Sequence, residues 1–133
     1  MAITRLVLAG VVCLATISAV CAQTPPAGLV KARTDFAAAV IANNEKAAAE
    51  LSAFPLINRV YREKPTLPRA QFSGLFKTYR HLLKCMKSEK LEAETSPQGK
   101  KTGNWLLNCD GNMVLFGQKN GRWMHIGYEN VNE

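Results

Sequence analysis

The chain has 133 residues, of which 20% are charged, and a formal net charge of +7. That length supports one globular core and excludes two. A basic balance of this size raises encounter rates with anionic partners, whether acidic proteins or envelope phosphates.

At the start of the chain, Arg5 precedes an apolar run from Leu6 to Val20, and Val20-Cys21-Ala22 follows before Gln23. A basic start, an apolar run and a small-residue site are the marks of a secretory signal, so residues 1–22 are expected to be removed after Ala22. The run is about 15 residues, short of the ~20 that a bilayer-spanning helix needs, and no stable membrane anchor is expected after cleavage. Acylation at Cys21 is disfavoured because Val20 is bulkier than the residue such sites carry. No Arg-Arg pair precedes the run, so twin-arginine export is not indicated. The expected location is therefore exported, periplasmic or secreted. Cleavage leaves a net charge of +6 and two cysteines, Cys85 and Cys109. Two thiols in an oxidising compartment are most simply a disulfide.

Residues 23–28 contain Pro25, Pro26 and Gly28 and read as a short disordered lead before one domain over 29–133. From Leu29 to Ala53, Leu29, Phe36, Val40, Ala47 and Leu51 share one helical face. Asn43-Asn44 either breaks this helix or caps a second, because asparagine competes for backbone hydrogen bonds and caps well. Phe54-Pro55 ends the helical region, and Leu56 to Arg62 suits a short strand. Pro65 and Pro68 mark the next boundary. From Arg69 to Ser88, Phe72, Leu75, Phe76, Tyr79, Leu82, Leu83 and Met86 form the apolar arc of one amphipathic helix. Its opposite side carries Lys77, Arg80, Lys84 and Lys87. Strands are expected over Lys90–Thr95, Asn104–Cys109, Met113–Gln118 and Arg122–Glu129. They are joined by a polar loop over 96–103, a tight turn at Asp110-Gly111-Asn112 and a hairpin at Asn120-Gly121. Helices first and a meander last make an α+β domain: N-terminal helices packed on a curved, mainly antiparallel sheet.

In this order the chain resembles the nuclear transport factor 2-like superfamily, which includes the SnoaL-like proteins. The resemblance rests on the alanine-rich first helix with its polar break at Asn43-Asn44, then Phe54-Pro55-Leu56, Gln71-Phe72 and Leu75-Phe76. Phe116, Gly121-Arg122-Trp123-Met124 and Ile126 complete it. It implies a cone-shaped sheet wrapped on helices with a pocket inside. Enzymes, ligand carriers and interaction domains share that cone, so fold does not settle function. The carboxylate or carboxylate–histidine pair of the superfamily's enzymes has no counterpart here that can be carried over residue by residue.

Histidine is the natural proton-transfer group near neutral pH, and the chain has two, His81 and His125. His81 lies among basic neighbours on the polar side of its helix. His125 alternates with Trp123 and Gly127 on the last strand, which makes it the best single catalytic guess if that face lines a pocket. Tyr61 and Trp123 join it as candidate binding residues, and Lys77, Arg80, Lys84 and Lys87 form a candidate basic contact stripe. His81, Cys85, Cys109 and His125 contain the ligand types of a zinc site, but the spacing matches no common pattern and export favours a disulfide. No phosphate loop, nucleophile elbow or metal-binding His-Glu-x-x-His helix occurs, and no cofactor is expected.

Between Arg59 and Lys101 there are eleven basic residues against four acidic ones, Glu63, Glu89, Glu92 and Glu94. With few interleaved aromatics this does not indicate nucleic acid. The partner classes that remain are a small ligand, an acidic protein, and a second copy docked through the sheet face. The leading expectation is an exported, non-enzymatic binding or interaction protein. The alternatives are a small isomerase or hydratase using His125, and an inhibitor or immunity protein with a basic surface.

Overall fold

A computed structural model describes residues 23–60 and 63–132. The expected signal peptide, its cleavage site and Tyr61 lie outside the described residues. The helix α1 (Ala27–Ile41) starts two residues earlier than its apolar stripe suggests, directly after Pro26. Its buried side sets the larger Leu29, Phe36 and Val40 beside Ala37 and Ala39, whose small side chains let the helix lie close to its neighbours. Asn43 takes a positive φ of 54°, which ends the helix. Asn44 then caps α2 (Glu45–Glu50), accepting a hydrogen bond from the Ala47 amide.

Strand β1 (Ser52–Asn58) begins four residues before the expected Leu56, and Phe54-Pro55 lies inside it with a cis peptide bond. A two-residue strand, β2 (Thr66–Leu67), follows and pairs with β1. The expected single helix over 69–88 is instead a 3₁₀ turn (Arg69–Gln71), α3 (Phe72–Arg80) and α4 (Leu83–Ser88). The break consists of two tight bonds, His81 N–H to Thr78 O and Leu82 N–H to Tyr79 O. Such i→i−3 bonds rotate the following turn relative to an ideal helix. The rotation turns Cys85 toward the sheet, where it forms a disulfide with Cys109, the Cα atoms 5.7 Å apart.

Strands β3 (Leu91–Thr95), β4 (Lys101–Cys109), β5 (Asn112–Lys119) and β6 (Arg122–Asn130) form the antiparallel meander. β4 begins at Lys101, inside the expected loop. Both tight turns carry consecutive positive φ values, 56° and 87° at Asp110-Gly111 and 52° and 76° at Asn120-Gly121. This geometry matches the twist of the flanking strands and favours Asn or Asp followed by Gly. β1 joins the meander parallel to β6, giving one six-stranded sheet in the order β2-β1-β6-β5-β4-β3.

The chain is thus α+β, with helices packed on one face of a curved, mainly antiparallel sheet. The main core lies between them and includes Phe36, Phe72, Tyr79, Leu107, Val114 and Phe116. A smaller cluster, Leu106, Leu115 and Ile126 flanked by Ala53, Ile57 and Met113, occupies the other face. On β6 a bulge inserts Ile126 between His125, which pairs with Phe116, and Gly127, which pairs with Leu115. A single extra residue exchanges the faces beyond it. His125 and Tyr128 therefore both belong with the helix side while Ile126 belongs with the opposite face.

Candidate functional sites

His125 is 1% exposed and lies in the middle of the main core. Its ring stacks on Phe36 at 4.4 Å and meets Tyr79 edge-on at 5.2 Å. The space where the resemblance implies a pocket is here occupied by side chains: Phe36, Phe72, Tyr79, Phe116 and His125 are each 2% exposed or less.

Two hydroxyls complete the histidine. Ser52 Oγ lies 2.8 Å from His125 Nδ1, and Tyr79 OH lies 2.6 Å from Nε2. Ser52 donates its own proton to Ala48 O at 2.8 Å, so toward the ring it accepts. That assigns the imidazole proton to Nδ1; the single Tyr79 O–H proton, within 3.3 Å of Gly127 O as well, then goes to Nε2, the nearer acceptor at 2.6 Å. Burial pushes the His125 pKa down to about 3, despite an opposing backbone hydrogen bond at Gly127, and pushes the Tyr79 hydroxyl well above 10. A catalytic Ser–His pair needs the ring to accept the hydroxyl proton. Here the direction is reversed, and Ser52 is not activated. The network joins α2, the start of β1, α3 and β6 with neutral hydrogen bonds.

The second constellation lies on the sheet face opposite the helices. Arg59, just past β1, donates from one guanidinium nitrogen to Glu94 Oε2 at 2.7 Å and to Glu129 Oε2 at 3.3 Å. Glu94 on β3 is 6% exposed, and its Oε1 also accepts from Thr102 Oγ1 at 2.8 Å and from Asn104 Nδ2 at 3.4 Å. Burial alone would raise the Glu94 pKa, but hydrogen bonds from Arg59 and Thr102 and the Arg59 charge together hold it below the usual 4.5. The Glu94 hydrogen bond in turn raises the pKa of Arg59. Beside this cluster is a recess of about 700 Å³ whose lining includes Glu92 and the apolar Leu106 and Met113. A second recess of about 570 Å³, bounded by Ala53, Pro55, Lys119, Arg122 and Met124, lies toward the β5–β6 hairpin.

The remaining candidates are dispersed. Trp123 is half-buried against Gly28 of α1, where a Cβ would stand 3.0 Å from the indole. It borders a cleft of about 340 Å³ with Lys31, Asp35 and Arg122, and is not joined to His125. In the basic stripe, Lys77, Lys84 and Lys87 are exposed, whereas Arg80 turns inward and donates to Val40 O at 2.7 Å and Ile41 O at 3.0 Å. It closes the C-terminal end of α1 and is separate from the lysines in role. His81 is exposed. No group of three or more potential metal ligands occurs among the described residues. Sequence reasoning missed Ser52, Arg59 and Glu94 as site residues, and placed Tyr79 among the core aromatics without its bond to His125. Glu94 alone left a signal, a carboxylate at every second position of β3 with Glu92.

No family model matches the chain, and the search of curated proteins found no match. Among solved structures, one from Xanthomonas campestris, described as a calcium/calmodulin dependent protein kinase II association domain, is similar at 16% identity. The match covers 75% of this chain and 82% of that one, with a TM-score of 0.41.

Proposed function

We propose that the chain is an exported protein of the nuclear transport factor 2-like type that acts by binding a partner rather than by catalysis, and that its contact surface is the sheet face opposite the helices. The observation that carries this reading is the filled interior. An acid–base residue must reach the proton it moves, and His125, the best catalytic candidate, is buried among aromatic rings with both ring nitrogens hydrogen-bonded. The open polar surface with an apolar floor lies on the other side, around Arg59, Glu94 and Glu129.

The test has two parts. N-terminal sequencing of protein recovered outside the cytoplasm is expected to read from Gln23; recovery only inside cells with Met1 retained removes export. Immobilised protein is then offered an extract of the same compartment, beside a Glu92→Lys/Glu129→Lys chain of equal melting temperature. The same bound species at the same yield on both columns removes the sheet face from function.

A second reading has its own observation. Lys77, Lys84 and Lys87 are exposed along α3 and α4, and none of them has an ion pair among the described residues. That surface suits an inhibitor or immunity protein that neutralises an acidic exported effector.

A further inference from the structure

Trp123 borders the cleft of about 340 Å³ between α1 and the start of β6, outside the filled core. It is half-buried, and its indole Nε1–H reaches solvent with no hydrogen-bond partner among the described residues. Gly28 of α1 lies against this ring, where a Cβ would stand 3.0 Å from Cδ1 and 3.7 Å from Nε1. Gly28 is in regular helix, so no unusual backbone angle requires a glycine there; its missing side chain leaves the N–H edge of the indole uncovered. Three charged side chains share the cleft with the ring. Lys31 pairs with Asp35 one helical turn on, through Asp35 Oδ2, which leaves Oδ1 as an acceptor. Arg122 is exposed and forms no ion pair among the described residues.

The cleft is at the lower end of the ~300–1,000 Å³ range of small-ligand sites. It offers a flat aromatic surface, an N–H donor, a carboxylate oxygen that accepts, and a guanidinium fork that matches a carboxylate. A plain aromatic ligand uses only the first of these. An aromatic carboxylate adds the guanidinium but has no donor for Asp35. A neutral sugar lays the C–H groups of one ring face on the indole, accepts from Nε1–H and donates a hydroxyl to Asp35, yet leaves the guanidinium to water. A sugar ring that carries a carboxylate uses all four. The charge of the cleft points the same way: two cations against one carboxylate leave a net positive charge beside the aromatic surface.

We propose that the Trp123 cleft binds an acidic saccharide, a pyranose unit bearing a carboxylate. Its ring stacks on the indole, its carboxylate meets Arg122, and its oxygens exchange hydrogen bonds with Trp123 Nε1–H and Asp35. The site is separate from the sheet face opposite the helices and stands whether or not that face binds a partner. Stacking on Trp123 supplies affinity for any sugar, and Arg122 selects the acidic one. Lys31 and Asp35 are on α1 while Arg122 and Trp123 are on β6, so regular elements carry the binding groups and no loop has to be ordered on binding.

Titration calorimetry and tryptophan fluorescence with digalacturonate, cellobiose and benzoate give the test. The chain has two tryptophans and Trp105 is 4% exposed, so a change in emission on adding sugar reports Trp123. Digalacturonate is expected to alter the emission and to bind with a Kd of about 1 mM or tighter, with cellobiose and benzoate each about ten-fold weaker or more. Arg122→Gln is expected to weaken digalacturonate about ten-fold, through loss of a charge-assisted fork, and to leave cellobiose unchanged. Asp35→Ala is expected to weaken both sugars, and Trp123→Ala to abolish the binding of both. Lys90→Gln removes the same charge from an exposed position beside β3, at the far edge of the sheet, and is expected to change nothing. Circular dichroism melting checks folding; Arg122 and Lys90 are both exposed, so their comparison decides the matter even where Trp123→Ala does not fold. Digalacturonate binding that does not saturate up to about 5 mM overturns the proposal. So does equal binding of cellobiose or benzoate, or an equal loss with Arg122→Gln and Lys90→Gln, the mark of general attraction to a basic protein.

Discussion

Arg59 and Glu94 hold each other across the sheet although β6, β5 and β4 lie between their strands. In a flat sheet, strands four positions apart are about 19 Å from one another, beyond the reach of two side chains. Twist and coiling therefore bring one end of β1 and one end of β3 together on the face opposite the helices, and the ion pair spans that concave diagonal above the Leu106, Leu115 and Ile126 cluster.

The two partners are unequally placed, and their removal is expected to be unequal. Glu94 is 6% exposed, whereas the Arg59 side chain is 37% exposed and partly solvated. Arg59→Gln leaves a buried carboxylate with only Thr102 and Asn104 as donors; Glu94→Gln leaves a cation that water and Glu129 still satisfy. Breaking a buried pair is most costly when the buried charge remains. At pH 7, Arg59→Gln is expected to lose about 1 kcal/mol more than Glu94→Gln in urea denaturation. The gap is expected to close as pH falls and the stranded carboxyl protonates. Equal losses at neutral pH would mean that the pair is no more than a screened surface contact.

The buried imidazole makes acid stability a property of the core. In the unfolded chain His125 titrates near 6.5, and in the folded protein near 3. Between those values the unfolded state binds a proton that the native state does not. Stability is therefore complete above 6.5 and falls as pH drops toward 3, by roughly ten-fold in the folding equilibrium constant per pH unit. Glu94 acts in the same direction but in a lower window: its folded pKa is below 4.5, so its contribution is present above 4.5 and lost as pH falls through the folded value. Between pH 5 and 6.5 the slope is expected to belong to His125, and urea titrations of His125→Gln in that range are expected to be flatter. An unchanged slope would place the acid sensitivity elsewhere.

The basic face separates into two kinds of residue. Arg80 donates to the last carbonyls of α1, while Lys77 and Lys84 extend into solvent. Arg80→Ala is expected to cost about 1 kcal/mol of stability through the lost helix cap. Lys77→Glu/Lys84→Glu is expected to leave the melting temperature almost unchanged. If this face docks an acidic effector, the lysine pair also weakens capture and lowers its salt dependence. Identical capture by the reversed pair would leave these lysines as solvated surface.

What could be read from the sequence was whatever depended on neighbours in the chain. The Asn44 cap, the Asn120-Gly121 hairpin and the stripe through Leu29, Phe36 and Val40 each carry their cause within a few residues. The break after Arg80 did not, because Phe72 to Met86 is continuously helical in pattern and the two tight bonds at His81 and Leu82 serve the distant sheet. The partners of His125 were hidden for the same reason: Ser52 is 73 residues away and Tyr79 is 46, and a serine or tyrosine alone carries no mark of its partner. The bulge at Ile126 was equally silent, and it decides which side chains beyond it share the helix-facing side.

The Cys85–Cys109 bond ties a weak element to a strong one. α4 has six residues, too few to hold a helical conformation unaided. It is kept in place by burial of Met86, by Arg33 of α1 donating to Met86 O and Glu89 O, and by the disulfide to the end of β4. A sequence separation of 24 gives a closed loop whose constraint on the unfolded chain stabilises the fold by about 3 kcal/mol in the chain-entropy model. Cys85→Ala/Cys109→Ala is expected to lose about that much in urea denaturation, with amide exchange in α4 accelerating before exchange in β4 and β5, because α4 loses its covalent tie while the strands keep their ladder. Exported protein beginning at Gln23 carries only these two cysteines, so thiol titration under denaturing conditions is expected to find none before reduction and two after. Two titratable thiols in the exported, unreduced protein would show that the bond does not form there and would withdraw the stabilisation assigned to it.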